Sequence, residues 1–213
     1  TAQAFITTDL ADNQINAFHP GAMSIAHLVR VDAAPPARWG IVGPNGKQAM
    51  IEHARGFADA SIPFVFDPGQ GMPMFDGAEL RRFVEIASAV VVNDYEAAML
   101  VERTGMSNEE IARQVDALII TRGGEGSVLY HDGACAPIEA APVSGTIDPT
   151  GCGDAYRGGL LFGLASGWDW LRCARLGSLM GAIKIECQGP QNHAIDRDAI
   201  ASRFERTWGE RPW

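Results

Sequence analysis

The 213-residue sequence predicts an α/β fold in which a mainly parallel sheet carries helices on both faces. Short, fully apolar runs such as Ala89-Val90-Val91-Val92 and Ala117-Leu118-Ile119-Ile120 alternate with helical stretches. Strands that are apolar on both sides need cover on both sides. Each of these runs also ends in a polar or glycine-rich loop, and open parallel sheets hold their ligands outside the carboxyl ends of the strands.

The elements follow in order. Ala4 to Thr8 and Gln14 to Phe18, joined by Asp9-Leu10-Ala11-Asp12-Asn13, predict a hairpin that leads into the small-residue loop His19-Pro20-Gly21-Ala22-Met23. Alternation then sets in, with strand Trp39 to Gly43 before a helix from about Lys47 to Ala60, and Ile62 to Phe66 before a helix from about Gly77 to Ala87. Ala89 to Val92 precedes a helix from about Tyr95 to Thr104, and Ser107 to Gln114 is a short helix with the capping box Ser107 and Glu110. Ala117 to Thr121 is the next strand, and Ser127 to Tyr130 pairs with Cys135 to Glu139 around the turn Asp132-Gly133. Three helices close the chain: Asp154 to Ala165, about Trp170 to Glu186, and about Asp196 to Arg206. There is no internal repeat and no linker-like stretch, so one α/β domain over 1–213 is expected.

Bulk properties restrict the function. A hydrophobic content of 46% and a charged content of 20% are globular values. The formal net charge of −9 argues against a nucleic-acid partner. Cys135, Cys152, Cys173 and Cys187 form no C-x-x-C pair, which indicates neither a zinc site nor a disulfide framework and fits a cytoplasmic location. No apolar run approaches the ~18 residues of a membrane span, and no signal peptide precedes the first strand. The first residue is Thr1 rather than Met, so a processed chain or a fragment is expected.

The stretch Asp148-Pro149-Thr150-Gly151-Cys152-Gly153-Asp154 turns directly into an apolar helix. A helix start has N–H groups without partners and the positive end of the macrodipole, and glycines let an anion approach the backbone. A carboxylate beside bound phosphate would repel it unless it had a task, such as taking the proton of an attacking hydroxyl. Asp154 therefore suggests phosphoryl transfer, although a glycine turn with Asp in the first helical turn is also an ordinary structural element. Two other nucleotide motifs fail: there is no G-x-x-x-x-G-K-[ST], and Tyr156 stands where a dinucleotide fingerprint needs Gly or Ala.

Four strand-end loops converge with this motif on one edge of the sheet: Gly43-Pro44-Asn45-Gly46, Asp67-Pro68-Gly69-Gln70, Asn93-Asp94-Tyr95-Glu96 and Thr121-Arg122-Gly123-Gly124-Glu125-Gly126. Asn93 and Glu96 have capping-box spacing. They could alternatively orient the water shell of Mg²⁺, which keeps several waters and takes few direct carboxylates.

These residues resemble the ribokinase-like (PfkB) family of carbohydrate and nucleoside kinases, in particular its bacterial adenosine-kinase-like branch. Asp148 to Asp154 matches the family's second signature except at Cys152, where a small residue, usually Ala, is expected. The resemblance continues through the hairpin ending in Gly21-Ala22, Asp67-Pro68, Asn93-x-x-Glu96, Thr121-Arg122-Gly123 and the C-terminal helices.

The resemblance implies ATP-dependent transfer of the gamma-phosphate to a primary hydroxyl of a nucleoside or sugar, with adenosine as the expected acceptor. It implies Asp154 as catalytic base and Gly151, Cys152 and Gly153 as the amide anion hole. Asn93 and Glu96 would act on water-bound Mg²⁺ and phosphates. Thr121, Arg122, Gly124, Gly126, Gln191 and Asn192 would border the nucleotide, with His193 beside them, and Asp67 and Asp148 would meet the acceptor. A monovalent cation is a further candidate cofactor. The family's first strands, lid and most acceptor contacts precede the region matched by Thr1, so a sheet edge and apolar surface would be exposed, which favours association such as a homodimer. Remaining alternatives are a ribokinase- or fructokinase-type sugar kinase, a non-catalytic nucleotide-binding module or inactive fragment, and a dinucleotide-dependent reductase.

Overall fold

The computed structural model describes residues 1–8, 14–194 and 196–213. Strands β1 (Gln3–Thr8) and β2 (Gln14–His19) form an antiparallel two-stranded sheet of their own. The expected connecting loop at 9–13 lies outside the described residues.

The main sheet has six strands in chain order: β3 (Gly40–Val42), β4 (Phe64–Phe66), β5 (Ala89–Asn93), β6 (Ala117–Thr121), β7 (Ser127–His131) and β8 (Ala134–Ile138). The first four run parallel and the last two antiparallel, with Asn93 opposite Thr121 and Thr121 opposite Ser127. Parallel pairing puts the carboxyl ends of β3 to β6 on one edge. The β7–β8 turn takes positive φ at Asp132 (49°) and Gly133 (74°), the backbone that suits a two-residue hairpin.

Side-chain alternation along the strands divides the interior in two. Phe64, Phe66, Val90, Val92, Leu118 and Ile120 face one side. They pack against α1 (Lys47–Asp59), α2 (Gly77–Ile86), α3 (Asp94–Thr104) and α4 (Asn108–Ala112). Val65, Ala89, Val91, Ala117 and Ile119 face the other side, under α5 (Cys152–Ala165) and α6 (Trp170–Ile185). A third cluster seats α7 (Arg197–Trp208) on α6 through Leu176, Leu179, Ile200 and Phe204.

Helices α5 and α6 approach closely because glycines line their contact. A Cβ on Gly159 would lie 2.9 Å from Leu176 O, one on Gly163 2.7 Å from Cys173 Sγ, and one on Gly177 2.9 Å from the Tyr156 ring. Capping fixes several helix starts: Asp76 with Glu79, Asn93 with Glu96 and Ser107 with Glu110 each complete a capping box. The segments Gly21–Leu28 and Gly69–Met74 are 3₁₀ turns where loops were expected. No helix among the described residues is long and apolar enough to cross a membrane.

Candidate active site

The Gly-rich stretch sits at the amino end of α5, which begins at Cys152 rather than at Asp154. The earlier start is set by Gly151, whose φ of 83° is left-handed and whose Cβ would lie 3.0 Å from the Pro190 side chain. The Cys152 N–H turns back to Pro149 O at 3.2 Å and Ala155 N–H closes the first turn on Gly151 O at 2.9 Å. Among the described residues, the N–H groups of Gly153 and Asp154 have no protein acceptor. The amides open to an anion are thus those of Gly153 and Asp154, while Cys152 spends its N–H on the turn. Asp154 is exposed in the first turn of the helix.

One turn further along α5, Arg157 is buried against Asp67 at the end of β4, the two being 9% and 6% exposed. Arg157 Nη2 donates to Asp67 Oδ1 at 2.7 Å, and Nε lies against Oδ2. Nη1 donates to Gly153 O at 3.1 Å, so one guanidinium ties the Gly-rich loop to the sheet. Burial pushes the Asp67 carboxyl above its usual range despite Arg157, and the carboxylates of Glu96 and Asp154 are near enough to push it the same way. Asp67, expected at the acceptor, is held in a buried pair with both of its oxygens against Arg157.

Asp148, also expected at the acceptor, has both carboxylate oxygens hydrogen-bonded within the protein. Its Oδ1 accepts from Thr150 N at 2.8 Å, and its Oδ2 from Gly189 N at 2.8 Å and Gln188 Nε2 at 3.1 Å. The hydrogen bonds from Thr150, then that from Gly189 N–H, hold its pKa down to about 2. The carboxylate ties the Gly-rich loop to the 188–189 segment. Gln191 and Asn192 follow on an exposed loop, and Asn192 Nδ2 donates to Gln188 O at 2.9 Å.

At the end of β5, Asn93 Oδ1 accepts from Glu96 N and Glu96 Oε2 accepts from Asn93 N, both at 2.8 Å. The pair caps α3, and Glu96 Oε1 is left over as a hard oxygen donor. Among the described residues no three His, Cys, Asp or Glu side chains gather as a metal cage. The donor set therefore fits an ion held through water and ligand phosphate rather than one bound by the protein alone.

A cleft of about 550 Å³ lies beside the Gly-rich loop. It is lined by Thr121, Gly124 and Gly126, by Cys152 and Gly153, and by Ala182 and Ile185 of α6. Gly124 faces open space, whereas a Cβ on Gly126 would lie 2.1 Å from Ile138 O. Gly126 is therefore dictated by chain packing. Arg122 donates its backbone N–H to Gly126 O at 2.7 Å, which shapes the same turn. A concavity of similar size, about 560 Å³, lies between His27, Arg30 and the later turns of α1, away from the strand ends.

The structure thus brings Thr121, Gly124 and Gly126 together with Cys152 and Gly153, and pairs Asp67 with Arg157, with the carboxylates of Glu96 and Asp154 near enough to act on Asp67. Arg157 was missed from the sequence. Its signal was an arginine one turn after Gly153 within an otherwise apolar helix.

Comparison with known proteins bears on what such a site does. The sequence model of the pfkB family carbohydrate kinases matches residues 1–197. The nucleoside kinase of Burkholderia thailandensis, solved in complex with inosine, is 53% identical. It superposes with a TM-score of 0.94 over 100% of this chain and 70% of its own. The same enzyme has been solved in complex with ADP-inosine, also at a TM-score of 0.94. A nucleoside kinase of Methanocaldococcus jannaschii is 27% identical over 97% of this chain and 68% of its own length.

Proposed function

The chain belongs to the pfkB family of carbohydrate kinases, and from that membership we propose that it is an ATP-dependent nucleoside kinase acting on a purine nucleoside, adenosine or inosine. The observation that carries the reading is the single cleft in which the nucleotide-side residue Gly124 and the anion loop at Gly153 meet. The identity of 53% to an enzyme solved with inosine supports a nucleoside over a free sugar.

The residues divide the work as follows. The free N–H groups of Gly153 and Asp154, at the positive end of α5, receive the transferring phosphate. Asp154 takes the proton of the acceptor's primary hydroxyl. Phosphoryl transfer depends on alignment and charge stabilisation more than on covalent help. Arg157 supplies alignment by fixing the Gly153 carbonyl against the sheet. Gly124, with Thr121 beside it, leaves room for the nucleotide, and the 188–192 loop borders it. Glu96, with Asn93 orienting it, would hold Mg²⁺ through water. Bound there, the ion would neutralise charge on the phosphates.

Steady-state phosphorylation of adenosine, inosine, ribose and fructose with ATP tests the reading. Turnover of a nucleoside is expected; turnover of a free sugar alone would assign the chain to the sugar kinases of the family. The exposed apolar side chains Phe5, Ile15 and Phe18 on the β1–β2 hairpin support association into a homodimer, which sedimentation equilibrium would check.

A further inference from the structure

Lys184, in the last turn of α6, is wholly buried at 0% exposure. Its Nζ donates to the backbone oxygens of Asp148 at 2.6 Å and Cys187 at 3.2 Å. Among the described residues it makes no ion pair with a carboxylate. A buried ammonium is costly unless its surroundings compensate, and a methionine would fill this space without that cost.

The compensation here is local. Lys184 sits at the carboxyl end of its own helix, where the macrodipole is negative. The neighbouring Ile185 O accepts the N–H groups of Ile147 at 2.8 Å and Asp148 at 3.2 Å. The end of α6 is thus docked on the start of the anion loop. The two carbonyls that Lys184 holds flank that loop on both sides: Asp148 opens it, and Cys187 immediately precedes the Gln188 and Gly189 groups that bind the Asp148 carboxylate.

We propose that Lys184 is a positioning residue whose ammonium serves as a built-in cation, clamping the carbonyl oxygens of Asp148 and Cys187 so that the 148–153 loop keeps the shape that aims the Gly153 and Asp154 amides at phosphate. The proposal rests on the phosphoryl-transfer reading of that loop. It deepens that reading by naming what holds the loop from behind. Without the cation the two carbonyls would face each other across a desolvated gap and turn away.

The test uses the whole chain, with amide hydrogen exchange at 148–154 and steady-state kinetics as separate readouts. Lys184→Met keeps the apolar stem and removes the charge. Exchange at the hydrogen-bonded amides of Asp148, Thr150 and Cys152 is expected to rise ~10-fold or more while the β5 and β6 amides stay protected. Turnover should fall ~10- to 100-fold with little change in the KM for nucleoside, the size of loss expected from a small misplacement. Lys184→Ala opens room for an added cation. In it, ammonium chloride should restore protection and turnover, and tetramethylammonium chloride at equal ionic strength should restore neither. Wild-type exchange and turnover in Lys184→Met would overturn the proposal. So would loosening spread evenly over the protein with no response to ammonium, since that is what simple core filling predicts. If Lys184→Met does not fold, Lys184→Gln carries the same readouts with N–H donors retained and the charge removed. Absence of nucleoside phosphorylation by the wild-type chain would count against the function, whereas the exchange and ammonium results decide the role of Lys184 independently.

Discussion

Arg157 and Asp67, 90 residues apart in sequence, form a buried ion pair with Nη2 2.7 Å from Oδ1, and the same guanidinium holds the Gly153 carbonyl. A side chain of α5 is thereby tied to the end of β4, and the loop that starts α5 is fixed to the sheet.

Arg157→Met would leave the Asp67 carboxylate buried without its cation, a change that costs about 3–5 kcal/mol. Burial raises the Asp67 pKa even with Arg157 in place, so without Arg157 it rises further above the unfolded value. A carboxyl with a raised folded pKa favours the folded state below its unfolded pKa and loses that contribution as pH rises. The variant is therefore expected to be more strongly destabilised at neutral pH than near pH 4. Urea unfolding at the two pH values measures this, and equal losses at both would contradict it.

Asp148 and Glu186 act in the opposite sense, each with a pKa lowered to about 2. Hydrogen bonds from Thr150 are the main cause for Asp148. For Glu186 it is the Arg203 fork at 2.8 and 2.9 Å. Both bind protons more weakly folded than unfolded, so their contribution is complete above the ordinary values of 3.8 and 4.5 and disappears as pH falls toward about 2. Thermal unfolding from pH 6 down to pH 2 should show this loss. In Glu186→Gln part of that pH dependence should be gone.

Asp154→Asn keeps the shape of the helix start and removes the proposed base. Turnover should fall by ~10²-fold or more, in the range of general-base contributions, while ATP binding by calorimetry stays close to wild type. Retained full turnover would remove Asp154 from the mechanism.

The two glycines of the β6–β7 turn should separate structure from binding. Gly126 has a φ of 83° and its Cβ would lie 2.1 Å from Ile138 O. Gly126→Ala should lower stability by about 1 kcal/mol at least. Gly124→Ala meets open space in the protein, so its melting temperature should be near wild type. Its KM for ATP should rise, because the added methyl enters the cleft.

Where the chemistry was local, the sequence disclosed it. The four parallel strands are legible because runs such as Ala89 to Val92 are apolar on both faces, and the N–H groups at Gly153 follow from a glycine turn entering a helix. The capping boxes at Asn93 and Ser107 are legible from residue spacing alone. What escaped depends on contacts between distant segments. Arg157 finds Asp67 only once α5 lies over β4, and the Gln188 and Gly189 groups reach the Asp148 carboxylate from 40 and 41 residues away. The 3₁₀ turns at Gly21–Leu28 and Gly69–Met74 escaped for another reason: they carry no hydrophobic period to read.

The glycines between α5 and α6 extend the territory of the site well beyond anything a ligand touches. Gly163 is nine residues along α5 from Asp154, about 13 Å at the helical rise. A side chain there would press on Cys173 and lever the whole rod away from its neighbour. Because α5 is a stiff beam with the chemistry at one tip, a methyl group added at the far end would be felt as an aiming error at the near one.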